Sequence, residues 1–82
     1  MYEMEEINSA GQAFYIRYHN PAGNLWRIEI YTDEEHNDLI EAYGIQINSD
    51  ILRREGNRDE ETLQAFIEQA IADSVRYSIE RL

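Results

Sequence analysis

Hydrophobic and polar residues alternate on both sides of a turn signal in the first third of the chain. The segment Asn20-Pro21-Ala22-Gly23 fits a type I turn followed by a left-handed glycine, which closes a three-residue hairpin loop. With that loop, three apolar pairs fall on one face of the pleat: Tyr18 with Trp26, Ile16 with Ile28, and Phe14 with Ile30. The pattern therefore predicts an antiparallel β-hairpin with one apolar face.

The other face of the predicted hairpin carries charge. In the same register Arg17 lies directly opposite Arg27, and like charges across a strand pair are destabilising. Two interpretations stay open for this pair. Either nearby carboxylates such as Glu29 compensate it, or the two arginines contact an acidic partner.

Capping signals after the hairpin predict helices. Thr32-Asp33-Glu34-Glu35 has the form of a capping box, and Gly44 is placed to end a helix. Between them, four residues follow at helical spacing: His36, Leu39, Ile40 and Tyr43. The pattern predicts a first helix over 33–43. A short second helix is expected after a cap at Asn48 or Ser49, ending at Gly56.

A longer apolar stripe predicts a third helix that opens at Asn57, with Glu60 three residues into it, and runs from Arg58 to Leu82 without proline or glycine. The stripe consists of Leu63, Phe66, Ile67, Ala70, Ile71, Ser74, Val75, Ser78, Ile79 and Leu82. Its expected role is to cover the apolar face of the hairpin, and it is also a candidate dimer interface.

These elements predict a single compact α+β domain over residues 1–82. A hairpin alone is marginal in water, so a third strand is expected from Tyr2–Glu5, from Ile45–Ile47 or from another subunit. The predicted fold is thus an N-terminal antiparallel β-hairpin of two or three strands. It packs against two or three helices, which include the long C-terminal one.

Composition excludes several classes of function. The 82 residues contain seven basic residues, all arginine, against seventeen acidic ones, for a net charge of -10, and there is no cysteine. Such a charge disfavours direct nucleic-acid binding, and the lack of cysteine removes disulfides and zinc–thiolate sites. We expect a cytoplasmic protein, because no apolar run approaches a membrane span and the first residues do not resemble a signal peptide.

Catalytic and cofactor motifs are not found. The chain has no lysine, its serines lie in no nucleophile motif, and its four glycines form no phosphate loop. His36 follows three acidic residues, but neighbours on a helix point about 100° apart and do not converge on a metal. We therefore expect a non-enzymatic protein without catalytic residues, metal site or cofactor.

The acidic residues are the remaining candidate feature. The predicted partner-binding surface consists of Glu3, Glu5, Glu6, Asp33, Glu34, Asp38, Glu41 and Glu55, with Tyr2, Tyr15 and Tyr31 as exposed aromatic anchors. Helix capping and solubility explain part of this charge. The alternative is that the carboxylates imitate nucleic-acid phosphates and occupy a basic groove on another protein.

One segment carries a resemblance. Glu41-Ala42-Tyr43-Gly44-Ile45-Gln46-Ile47-Asn48-Ser49 resembles a segment of small acidic phage anti-CRISPR proteins, in which a helix ends at glycine and a capped helix follows. Members of that group are short and non-enzymatic, and some block the DNA-binding groove of a CRISPR surveillance complex. The resemblance implies a protein that blocks a basic nucleic-acid-binding partner in the host cytoplasm. The alternative is a homodimeric structural or accessory protein that uses the C-terminal helix or a sheet edge as its interface.

Overall fold

The computed structural model describes residues 2–48 and 60–81, which form one antiparallel sheet and one helix. In chain order the elements are β1 (Tyr2–Ser9), β2 (Gln12–Ala22), β3 (Leu25–Tyr31), β4 (Leu39–Gln46) and α1 (Glu60–Glu80). The strands lie in the order β1-β2-β3-β4, so each pairs with its neighbour in sequence. The fold is α+β, as predicted, but the two or three predicted helices are wrong for the described residues, which contain one.

The first hairpin joins β1 to β2 through Ala10 and Gly11. Both residues have positive φ, 52° and 81°, the combination typical of a type I′ hairpin turn. Met4 pairs with Ile16 and Ile7 pairs with Phe14, so a β-bulge lies between the two pairs. The N-terminal segment is therefore the strand that stabilises one side of the predicted hairpin.

The second hairpin has the predicted faces but another register. Its turn is Gly23-Asn24, with Gly23 at φ 55°, and not the three-residue loop that was predicted. The Asn20 side-chain amide donates to the carbonyl oxygens of Gly23 (3.0 Å) and Leu25 (2.5 Å). These two bonds stabilise the end of β2, where the register with β3 shifts between His19 and Ala22.

This shift corrects the predicted pairs. Ile16 pairs with Ile30 and Tyr18 pairs with Ile28, two positions away from the expected partners. A shift of two keeps every side chain on its predicted face. On the other face, Arg17 lies opposite Glu29 and not opposite Arg27, so the predicted like-charge pair is wrong.

The predicted first helix over 33–43 is also wrong. Residues 32–38 form a loop, and residues 39–46 form β4, which pairs along β3. Thr32 donates its hydroxyl to the Asp38 carboxylate instead of capping a helix. The spacing of Leu39, Ile40 and Tyr43 is compatible with a helix, but Tyr43 and Ile45 also alternate as a strand. Hydrogen bonds and packing against β3 select the strand.

The long C-terminal helix is confirmed, with its buried side consisting of Leu63, Ile67, Ile71, Val75 and Ile79. Phe66, which the stripe included, is exposed. The predicted second helix, between Ser49 and Gly56, the predicted start at Asn57 and the final Leu82 lie outside the described residues.

The main core lies between α1 and one face of the sheet. Ile16, Ile28 and Ile30 from the two central strands and Ile71 and Val75 from α1 are fully buried. The opposite face is partly covered by the 32–38 loop, because the His36 ring packs edge-on against Tyr31 with ring centres 5.0 Å apart. In 2–48 and 60–81, no helix is long and apolar enough to cross a membrane.

Candidate acidic binding surface

A groove lies between β1 and the 32–38 loop, with a volume of about 430 Å³. We call it the acidic groove, and it is lined by Glu3, Met4, Glu6, Tyr15, Glu34 and His36. The bulge in β1 contributes to it directly, because two consecutive glutamates, Glu5 and Glu6, lie opposite the single residue Tyr15. Three of the predicted acidic residues, Glu3, Glu6 and Glu34, therefore line the same groove as the Tyr15 ring.

Hydrogen bonds within the 32–38 loop hold one wall of this groove. The Asp33 carboxylate accepts from the backbone N–H of Asn37 (2.9 and 3.0 Å) and of Asp38 (2.7 Å). These bonds, first that from Asp38 and then that from Asn37, lower the pKa of Asp33. Asp33 and Asp38, predicted as partner-binding residues, thus shape the loop that carries Glu34.

His36 connects the loop to the sheet. It adopts φ 60°, a left-handed conformation that is uncommon for a residue other than glycine. Its Nδ1 atom lies 3.9 Å from Oε1 of Glu3 on β1, and its ring packs on Tyr31. The loop is therefore in contact with both the first and the third strand.

Tyr15 experiences the negative potential of the groove. Its pKa is raised by partial removal from water and then by Glu6, through charge and a hydrogen bond, with further contributions from Glu34 and Glu35. Each of these carboxylates disfavours a second negative charge on the phenol. The potential that opposes ionisation of Tyr15 is the potential that a cationic group of a partner would meet.

The other predicted acidic residues are distributed differently. Glu5 lines a second groove, of about 470 Å³, between β1 and α1. Glu41 is a residue of β4 on the helix side of the sheet, where its Oε2 accepts from Ser78 Oγ at 2.5 Å. Glu41 is therefore not part of the acidic groove. Glu55 lies outside the described residues.

The three predicted aromatic anchors do not share one surface. Tyr2 is exposed and stacks on Tyr18 on the helix side of the sheet, with ring centres 5.4 Å apart. Tyr15 lines the acidic groove on the opposite side. Tyr31 is buried, and its hydroxyl donates to Glu29 at 2.8 Å, so the prediction that it is an exposed anchor is wrong.

Two acidic residues close to the grooves or to Tyr15 were missed by reasoning from sequence. Glu68 of α1 accepts from the Tyr18 hydroxyl at 3.1 Å and lines the groove that contains Glu5. Burial and then this hydrogen bond raise the pKa of Tyr18 to about 12. Glu35 adds its charge near Tyr15. Helical periodicity indicates only that Glu68 lies off the apolar stripe, and docking of α1 is what brings it to β1.

The described part of the chain contains no group of three or more histidine, aspartate and glutamate residues able to hold a metal ion.

Two serines of α1 contact β4: Ser78 donates to Glu41, and Ser74 Oγ lies 3.0 Å from Tyr43 Oη. These bonds connect the helix to the outer strand.

Comparison with known proteins identifies no relative: no family model, no curated protein and no solved structure matches this chain.

The structure also bears on the resemblance to anti-CRISPR proteins. Residues Glu41 to Gly44, expected at the end of a helix, lie within β4. The helix–glycine arrangement on which the resemblance depended is therefore not the local structure here.

Proposed function

We propose that this chain is a non-enzymatic acidic binding protein that docks on a basic, nucleic-acid-binding surface of another protein and blocks it. The observation that carries the proposal is the convergence of Glu3, Glu6 and Glu34 around Tyr15 in the acidic groove. It is supported by the chain's net charge of -10 and its lack of lysine.

Electrostatics explains why a nucleic-acid-binding surface is the preferred partner. Proteins that bind nucleic acid present clustered arginine and lysine to phosphates, and much of their affinity comes from that contact. An acidic protein is steered to the same cluster at a high association rate. Glu5 and Glu68 line the neighbouring groove between β1 and α1 together with Arg76, so carboxylates outnumber the one cation there as well.

Specificity would come from the apolar side chains between the charges. Tyr15 lies in the acidic groove among the carboxylates, whereas the Met4 side chain packs against the core. A tyrosine presents a large, rigid and amphipathic surface, and such residues often contribute strongly to interfaces. Tyr15 is thus the proposed anchor, while Glu6 and Glu34 are the proposed contacts to cationic side chains.

The biological setting is part of the proposal. Phage anti-CRISPR proteins, which the chain resembles in size and acidity, include members that block a DNA-binding groove. An inhibitor of this kind would act in the cytoplasm of the host cell.

A capture experiment with matched variants tests the proposal. The immobilised full chain is exposed to a nuclease-treated cell extract at low salt, and bound proteins are eluted with a salt gradient. Glu6→Gln combined with Glu34→Gln removes two charges from the acidic groove. Asp73→Asn combined with Glu80→Gln removes two charges from the exposed side of α1 and serves as the control.

We expect the wild type and the α1 control to retain the same basic nucleic-acid-binding protein, and the groove variant to release it at lower salt. The proposal is contradicted if no basic protein is retained at low salt. It is also contradicted if the groove variant and the α1 control elute their partner at the same salt concentration.

A further inference from the structure

A histidine lines the acidic groove among its carboxylates. His36 is part of the same wall as Glu34, and it faces Glu3 and Glu6 of β1 across the groove. Its Nδ1 atom lies 3.9 Å from Oε1 of Glu3. Histidine is the side chain that ordinarily changes charge between about pH 5 and 8, a range in which glutamates largely stay ionised. The groove therefore contains one group whose charge varies while that of its carboxylates does not.

The fold holds the His36 ring in a defined position. Its side chain is only 14% exposed, and the ring packs edge-on against the buried Tyr31. The backbone N–H of His36 donates to the Asp33 carbonyl at 3.2 Å, within the loop that the Asp33 carboxylate closes. Glu3, in contrast, is 64% exposed. A proton on the imidazole therefore has a carboxylate beside it without any rearrangement of the loop.

Charged and titratable groups surround His36 on every element near it. Within residues 2–48 and 60–81, Glu3 is the carboxylate within ion-pair distance of the ring. Arg17 of β2 lies opposite Glu3 in the sheet and is the second cation beside this carboxylate. From β3 the ring meets Tyr31, whose hydroxyl donates to Glu29. The other groups around the groove and in the loop are Glu6, Tyr15, Asp33, Glu34 and Glu35. The surroundings of His36 are thus predominantly anionic.

We propose that His36 makes the acidic groove pH-dependent: when protonated, it pairs with Glu3 and so competes with the cationic group of a partner. When neutral, it leaves the full negative charge of Glu3, Glu6 and Glu34 to that partner. The groove then binds a basic partner most strongly above about pH 7 and more weakly in mild acid. The pairing with Glu3 stands on geometry alone, whereas the effect on binding rests on the proposed function.

The chemistry of the pair defines its pH window. An imidazolium–carboxylate pair needs a protonated histidine and an ionised glutamate, which in model peptides change charge near about pH 6.5 and 4.3. The pair is lost as pH rises because His36 loses its proton, and in stronger acid because Glu3 gains one. Ion pairs that involve an exposed group are weak, so we expect the affinity for a cation to change about two- to fivefold.

An NMR titration of the two histidine rings in the full chain tests the pairing without any partner. We expect Glu3→Gln to move the midpoint of the His36 titration to lower pH, because the charged ring loses its carboxylate. Glu80→Gln, which removes a charge from the exposed side of α1, should leave it unchanged. His19 is the internal reference, since its Nδ1 atom has no hydrogen-bond partner among the described residues.

Binding of a fluorescent arginine-rich peptide tests the effect on the groove. The guanidinium groups of the peptide stay charged, so a change with pH arises in the chain. We expect wild type to bind about two- to fivefold more weakly at about pH 5.5 than at about pH 8. His36→Asn should lose most of this difference, and asparagine tolerates the left-handed backbone at this position. His19→Asn is the matched control and should retain it.

Two results overturn the proposal. One is a His36 midpoint that Glu3→Gln does not move, or that Glu80→Gln moves equally. The other is the same pH dependence of peptide binding in wild type and His36→Asn. Failure of the proposed function is distinguishable, because Glu6→Gln/Glu34→Gln would then bind the peptide as tightly as wild type at about pH 8. In that case the effect on binding is overturned with the function, and the NMR titration still decides the pairing.

Discussion

Tyr15 is the residue at which the carboxylates of the acidic groove can be measured. It lies opposite both residues of the β1 bulge, and the 32–38 loop places Glu34 and Glu35 near its hydroxyl. A phenol in this position titrates in response to the charges around it. The same charges are the ones proposed to bind a cationic partner.

Glu6→Gln should lower the pKa of Tyr15, because it removes the carboxylate that both carries charge near the phenol and accepts its hydrogen bond. Glu34→Gln should lower it by less. The measurement is an NMR titration of the Tyr15 ring, with Glu80→Gln as a control that leaves it unchanged. An unaltered Tyr15 titration in Glu6→Gln would show that the two groups do not interact.

Asp33 should make folding stability depend on acid pH. Its pKa in the folded chain is below the ordinary value of 3.8. The stabilisation is therefore fully present above about pH 3.8 and is lost as pH falls through the lowered value. The difference in unfolding free energy between wild type and Asp33→Asn should be largest at neutral pH and shrink in acid. Urea unfolding at several pH values measures it, and a pH-independent difference would contradict this role.

Among the elements, α1 and the apolar face of the β2–β3 hairpin could be predicted because long amphipathic periodicity and strict alternation leave few alternatives. The exact pairing of residues between β2 and β3 could not be predicted. Asn20 fits a type I turn by composition, yet its side chain bonds to Gly23 and Leu25. A shift of two residues preserves the apolar face, so the hydrophobic pattern does not distinguish the two registers.

The 32–46 segment shows a different limit. Thr32 to Glu35 has a helix-capping pattern, but Asp33 uses its carboxylate to close a loop. Ile45 and Tyr43 are apolar at positions that suit either a helix end or a strand. The choice depends on β3, which pairs with β4 from Leu25 to Tyr31 and so satisfies its backbone hydrogen-bonding groups. Such long-range pairing is not encoded in local spacing.

The β1–β2 turn supports a stability prediction. Ala10 has φ 52°, which is unfavourable for a residue with a Cβ atom, and Gly11 follows it in a type I′ turn. Ala10→Asn creates Asn-Gly, the preferred sequence for this turn, and should raise the unfolding free energy by about 0.5–1 kcal/mol. Thermal or urea unfolding measures the change.

Ala22→Asn is the matched control for this prediction, because Ala22 precedes a turn without having positive φ itself. It should give no stabilisation. If Ala10→Asn were neutral or destabilising, the left-handed conformation of Ala10 would be contradicted.

At the scale of the molecule, the acidic residues could be identified from sequence, but their grouping could not. A helix over 33–43 would have presented Glu34, Asp38 and Glu41 from one element. The observed loop and strand send Glu34 to one face of the sheet and Glu41 to the other. The bulge in β1 then brings Glu6 to Glu34. The acidic groove is thus a product of tertiary structure.

Charge also determines how the proposed binding responds to salt. Binding of a basic partner joins opposite charges and should weaken as salt is added, because salt screens their attraction. A salt series on one preparation measures this dependence.

The central claim is that the acidic groove competes with nucleic acid for a basic surface. The most direct measurement adds the purified chain to a captured partner that already holds a fluorescent nucleic acid, and follows release by anisotropy. We predict that wild type and the Asp73→Asn/Glu80→Gln control displace the nucleic acid, and that Glu6→Gln/Glu34→Gln requires a clearly higher concentration. A stable ternary complex, in which chain and nucleic acid are bound together, would contradict the account.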